Sequence, residues 1–206
     1  MNNLIICAFY FGNHYEVCAK KLIDDCEEFG LEYDICSPAS LKKFVDKKPQ
    51  GVNMRNWICR YKPIFIRNML KKHKKPILYL DVDGSIKKLP NMKAFRNKNI
   101  GVCPAPQGSQ KKIYNTIVSC IYFDLSEVVM KFLDVWECKC MAVLANKADH
   151  WFFKTTIVDF NLTPGFKVGY MGVKRPLASK RKVFYPTVLL DARQYRMKYK
   201  ERKCKE

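Results

Sequence analysis

Three segments of this chain read as strands from runs of apolar residues: LIICAFYF at 4–11, unbroken, KKPILYLD at 74–81 and NTIVSCIYF at 115–123. A strand with one wet face alternates apolar and polar residues, because successive side chains point to opposite sides of a sheet. A run without alternation is what a strand buried on both faces requires, and such strands belong to mostly parallel sheets with helices on either side. The intervening sequence supplies helices. After Gly12, Asn13 is positioned to cap one, with Glu16 three residues on, and Cys18, Leu22, Cys26 and Phe29 share a helical face before Gly30 ends it. LEYDIC (31–36) alternates as a second strand, and SPASLKKF opens another helix with Ser37 as cap and Pro38 in the first turn.

Further along, DKKPQGVNMR (46–55) reads as a loop, PIFIRNMLKKH (63–73) as a helix and NIGVC (99–103) as a short strand. PAPQGSQ (104–110) reads as a loop ahead of the strand NTIVSCIYF at 115–123. Ser126 is placed to cap a helix carrying Val129, Phe132, Leu133 and Trp136, and another helical segment falls around 145–155. KVFYPTVLL (182–190) is strand-like but interrupted by Pro186. The expected architecture is α/β: a single domain over 1–190 with a mostly parallel central sheet and helices on both faces, then a basic tail at 191–206. Ligands of such sheets bind beyond the carboxyl ends of the strands.

The formal charge of +19 over 206 residues suits an anionic partner such as a nucleotide diphosphate, a nucleic acid or a lipid surface. No nucleic-acid-binding signature accompanies it, and the basic clusters at 42–48, 71–75 and 180–182 lack an interleaved aromatic platform. No specific nucleic acid is therefore expected, although a basic nucleic-acid-binding module stands as the non-enzymatic alternative. The ten cysteines contain no CxxC pair, which points to reduced thiols rather than disulfides or zinc. The start, MNNLIICAFYFG, lacks a signal-peptide pattern, and no apolar run is long enough to span a bilayer. A soluble, cytoplasmic protein is expected, with at most peripheral membrane contact through the tail.

The PILYL strand ends in DVDGSI, placing Asp81 and Asp83 one residue apart at a carboxyl end. Two chemistries use such a pair. In a phosphatase of the haloacid-dehalogenase type, which LYLDVDGSI resembles locally, Asp81 would be the nucleophile and Asp83 a general acid. That chemistry needs a later acidic cluster, and no suitably spaced one follows; an entire β-α-β-α unit also precedes the motif, which ordinarily opens such a domain.

The second chemistry is glycosyl transfer. CAFYFGNHY, RYKPIFI, LYLDVDGSI, YNTIVSCIYF and ADHWFF follow one another in an order that resembles the GT-A-fold glycosyltransferases with a DxD motif, over most of the chain. The small, lysine-rich chain also resembles the glycosyltransferases that large algal DNA viruses use for capsid glycosylation. The resemblance implies a nucleotide-diphosphate-sugar donor, UDP-linked by preference, and a glycan or glycoprotein acceptor. It implies Mn2+ or Mg2+ as cofactor, with Asp83 the direct ligand and Asp81 beside it on the metal, the ribose or the donor sugar. Strand residues two apart share a side, so both carboxylates reach one site if extended geometry persists through Val82, itself a donor contact by the same resemblance. The resemblance puts Arg60 and Lys62 near the diphosphate. It leaves Tyr10 and Phe11 to stack on the base or pack in the core, and Asp34 to meet the base or ribose. Asp149 faces the acceptor, as general base in an inverting enzyme or positioning the sugar in a retaining one. His150 beside it, also a sugar contact, departs from the amide common there. His150 is the last of three histidines, so unless it or Asp191 folds back, diphosphate and water complete the metal's sphere.

Overall fold

A computed structural model describes residues 4–87, 95, 97–104, 116–142, 147, 149–170 and 188–189. The loop expected at 104–110 lies almost wholly outside these residues, as do Asp191, the tail and all of 182–190 except Val188 and Leu189.

The chain begins β1 (Ile5–Phe9), α1 (Asn13–Glu28), β2 (Tyr33–Cys36), α2 (Ala39–Asp46), α3 (Met54–Cys59), α4 (Lys62–His73) and β3 (Ile77–Leu80). It continues with β4 (Ser85–Ile86), β5 (Ile100–Pro104), β6 (Thr116–Phe123), α5 (Glu127–Ala142), α6 (Asp149–Phe160), β7 (Val168–Tyr170) and β8 (Val188–Leu189). Six strands form one sheet in the order β2-β1-β3-β6-β5-β7, and β4 pairs antiparallel with β8. β1 is parallel to β2 and β3, and β5 to β7; β6 alone runs against its neighbours β3 and β5. The sheet is mostly parallel, as expected.

The uninterrupted apolar runs have the cause inferred for them. Along β1, Ile5, Cys7 and Phe9 face a core built with α2 to α6, while Ile6 and Ala8 face a second core against Cys18, Ala19, Leu22 and Cys26 of α1. One strand thus supplies both cores, and its alternate residues are equally dry. Leu22 and Cys26 are fully buried, so truncating Leu22 to alanine removes about 2–5 kcal/mol of stability.

Three local expectations need correction. Asn13 is the first helical residue of α1 rather than its cap: the chain turns at Gly12, whose φ of 84 suits glycine, and no side chain caps the helix. The cap position of α2 is Pro38, not Ser37. The loop expected through residue 55 ends earlier, because Asn53 accepts a hydrogen bond from the Arg55 amide at 2.9 Å and starts α3. Gly30, with φ of 60, follows α1 as the expected stop. Among the described residues no helix is long and apolar enough to cross a membrane.

Candidate active site

From β1 the chain returns through α1 to β2 on one side, then through α2 to α4 to β3 on the other. The carboxyl ends of β1 and β3 therefore flank a topological switch point, where an open α/β sheet leaves a crevice. A cavity of about 370 Å3 lies there, within the roughly 300–1,000 Å3 usual for small-molecule sites.

Its first wall is the end of β1, with Phe9, Tyr10 and Phe11, joined by Tyr15 from the first turn of α1. Tyr10 and Phe11 are only partly buried: each packs on a core with one part of its ring and lines the cavity with another. Core packing and a cavity-facing surface coexist in both residues.

The second wall comes from α3 and the start of α4. Met54, Arg55, Ile58, Cys59 and Lys62 line the cavity, spaced as one face of a helix. The helix breaks between Cys59 and Lys62 because Pro63 has no N–H to give the carbonyl four residues back, and its ring crowds that carbonyl. Arg60 and Tyr61 fill the break in near-helical geometry and point into the core, both buried.

The third wall is the end of β3, with Tyr79, Asp81, Val82 and Asp83. Here the structure corrects the strand argument. β3 stops at Leu80, the Asp81 amide makes a last ladder bond to the Ser119 carbonyl at 2.8 Å, and Gly84 N–H bonds back to the Asp81 carbonyl at 2.8 Å. Asp81–Gly84 is a β-turn, not extended chain. The carboxylates meet the same cavity because the chain bends around it, with Val82 6% exposed between them. Beyond the turn, Ser85 accepts from Lys21 Nζ at 3.0 Å and the Ile86 amide donates to Asp25 Oδ2 at 2.8 Å, so α1 fastens the far side.

Lys62 is the hub. Its side chain is 4% exposed, with Nζ 2.9 Å from Asp81 Oδ1, 2.7 Å from Asp149 Oδ2 and 3.4 Å from the Val118 carbonyl. Burial disfavours the cation, but the charges of Asp149 and Asp81 outweigh burial and hold the ammonium well above its ordinary pKa. For Asp81 burial pushes the carboxyl up, and Lys62 reverses it, leaving the group below its usual value. The Tyr79 hydroxyl donates to the same Asp81 Oδ1 at 3.0 Å; burial and the Asp81 charge raise Tyr79 well above an ordinary phenol, so it stays a donor.

Of the residues singled out in the sequence, Tyr10, Phe11, Lys62, Asp81, Val82 and Asp83 line the cavity. Asp149, in the first turn of α6, does not; it is buried and reaches the site through Lys62. Three others lie away from the cavity lining. Arg60 is 0% exposed and donates to the Cys140 carbonyl at 3.0 Å, with its guanidinium 5.0 Å from the Phe152 ring centre; it ties α3 to α5 and α6. Asp34 is bound 2.7 Å from both Lys72 Nζ and His73 Nε2 at the far end of α4, ten residues beyond Lys62 or about 15 Å along a helix. His150 is exposed and does not line the cavity. Sequence reading missed Tyr15, Tyr79 and the α3 residues. The signal for α3 was Asn53 as a cap followed by Trp57 and Tyr61 at helical spacing.

The resemblance of the motifs implies a divalent cation. Asp81 and Asp83 offer hard carboxylate oxygens, the donors Mg2+ and Mn2+ prefer. Among the described residues no three His, Cys, Asp or Glu side chains gather to hold a metal unaided. The donor set fits a cation that takes its remaining ligands from a diphosphate and water.

No protein-family model and no curated protein matches this chain. Among solved structures it is similar to a glycosyltransferase involved in the glycosylation of the major capsid of PBCV-1, at 10% identity and a TM-score of 0.56, covering 82% of this chain and 80% of that one. It is also similar to mouse xyloside xylosyltransferase 1, at 12% identity and a TM-score of 0.45, over 80% of this chain and 83% of that one. The glycosyltransferase GlyE of Streptococcus pneumoniae TIGR4 matches at 9% identity and a TM-score of 0.43, over 81% of this chain and 45% of that one. The first of these likenesses carries the conclusion about architecture: the chain has the GT-A-like α/β fold that its motifs implied.

Proposed function

We propose that this protein is a metal-dependent glycosyltransferase that moves a sugar from a nucleotide diphosphate, UDP by preference, to a hydroxyl of a glycan or glycoprotein. One observation carries the reading: Asp81 and Asp83 lie on a turn at the carboxyl end of β3, facing an aromatic wall from β1 at the switch point of this fold. Tyr10, Phe11 and Tyr15 offer faces and edges on which a base can stack. Asp83, with Asp81 beside it, would hold the cation, which when bound neutralises charge on the departing diphosphate. Lys62 and Tyr79 fix the orientation of Asp81, and Asp149 fixes Lys62.

Asp149 is assigned a positioning role rather than that of general base, because its carboxylate is turned to a buried ammonium and not to the cavity. The likeness to a capsid-glycosylating enzyme supports a glycoprotein, or the glycan on it, as acceptor. The phosphatase alternative loses support from the fold, which places an antiparallel strand directly beside the strand bearing the aspartates.

Thermal unfolding with UDP, GDP or TDP, each with and without Mn2+, tests the proposal. A nucleoside diphosphate is expected to raise the melting temperature only when the cation is present, and Asp83→Ala to abolish the shift. Wild-type protein that responds to none of the three with Mn2+ or Mg2+ overturns it.

A further inference from the structure

The charged side chains lining the cavity are Arg55, Lys62, Asp81 and Asp83, which sum to zero. A buried Asp149 behind Lys62 makes the local balance negative. A bound divalent cation reverses that sign, but a nucleoside diphosphate gains a further negative charge when the bond to the sugar breaks. A site that stabilises this change needs a cation able to meet the phosphate oxygens directly.

Lys62 cannot serve without loss elsewhere. Its ammonium pairs with two carboxylates, Asp81 Oδ1 at 2.9 Å and Asp149 Oδ2 at 2.7 Å, and donates to the Val118 carbonyl at 3.4 Å. Turning it toward a ligand would leave a carboxylate buried and unpaired, which costs more than one new phosphate contact returns. Arg60 is sealed in the core. Arg55 differs from both. Its side chain is exposed, lines the cavity and forms no ion pair with any described residue. It lies one helical turn before Cys59, another lining residue.

We infer that Arg55 is the protein cation that grips the diphosphate of the donor, with Lys62 confined to holding the carboxylates. This rests on the proposed function. A guanidinium presents paired N–H donors that match two phosphate oxygens, and unlike the buried Lys62 it can swing without exposing a partner. The chain thereby separates two tasks that the RYKP segment alone seemed to combine.

Calorimetric titration in Mn2+ separates the possibilities, using the nucleoside diphosphate that most stabilises wild-type protein, its monophosphate and its nucleoside. In Arg55→Ala the diphosphate is expected to bind about ten-fold or more weakly, the monophosphate less affected and the nucleoside unchanged. Arg55→Lys should recover part of the loss. Because Arg55 is exposed, its variants should melt with the wild type, and circular dichroism checks this. Equal affinity of wild type and Arg55→Ala for the diphosphate overturns the inference and leaves the proposed function standing. An equal loss for nucleoside and diphosphate also overturns it, since Arg55 would then shape the base pocket. Wild-type protein that binds none of the three compounds removes the proposed function itself, and this assignment with it.

Discussion

Lys62 Nζ stands 2.9 Å from Asp81 and 2.7 Å from Asp149, so one ammonium joins the turn after β3 to the first turn of α6. Replacing Lys62 with methionine keeps the length of the side chain and removes its charge, leaving two carboxylates crowded in a poorly solvated place. Breaking such a pair costs about 3–5 kcal/mol, which urea denaturation should show. Adding Asp149→Asn to Lys62→Met should restore part of the loss. A double mutant no more stable than the single one would mean that Asp149 does not depend on the lysine.

Tyr79→Phe removes one hydroxyl and little volume. Asp81 Oδ1 then keeps Lys62 but loses the bond at 3.0 Å that fixes its tilt. A few-fold rise in the dissociation constant for diphosphate with Mn2+ is expected, with stability lowered by about 1 kcal/mol. The readout is the ratio of Mn2+-dependent to Mn2+-independent binding, which a purely structural defect would leave unchanged.

Asp34→Asn should leave donor affinity as it is, because Asp34 lies at the far end of α4. Its effect belongs to pH. Burial pushes the Asp34 carboxyl up, but the bonds and charges of Lys72 and His73 outweigh this and lower it. A carboxylate depressed by folding adds stability that is present above its unfolded pKa of about 3.9 and is lost as pH falls through the folded value. Asp81 contributes in the same direction. Wild-type stability should therefore decline below about pH 4, and less steeply in Asp34→Asn, as followed by denaturant melts at stepped pH.

Arg60→Met should unfold more easily without impairing the donor site. Its guanidinium donates to the Cys140 carbonyl and packs between Trp57 and Phe152, so loss leaves an acceptor unsatisfied at about 1–3 kcal/mol. Unchanged diphosphate affinity in protein that melts earlier is the expected pair of results. Affinity lost in step with Arg55→Ala would return Arg60 to the site.

The alternating strands and helices, the apolar faces of α1 and α5 and the placement of Asp81 and Asp83 were legible because each depends on neighbours in the chain. Arg60 lies away from the cavity for a geometric reason. It is two residues from Lys62, and on helical backbone that spacing turns side chains to different sides, which a motif written as RYKP conceals. The turn at Asp81–Gly84 escaped the strand argument because two residues spaced as on a strand can also flank a turn, and only the bond from Gly84 back to Asp81 distinguishes them. The place of Asp149 at the start of a helix was legible, but its direction was not, since Lys62 pulls on it from across the molecule. Arg55 was hidden by reading a short helix as loop, although Asn53 announced it.

The reversed direction of β6 carries a consequence for how this protein tolerates change. At Val118 the strand serves Lys62 through its backbone carbonyl, and the Asp81 amide likewise donates to the Ser119 carbonyl. Every amino acid brings that same oxygen. Drift at position 118 among apolar residues should therefore leave the anchoring oxygen in place, so that lineages can diverge along this strand while the machinery beside it stays in register.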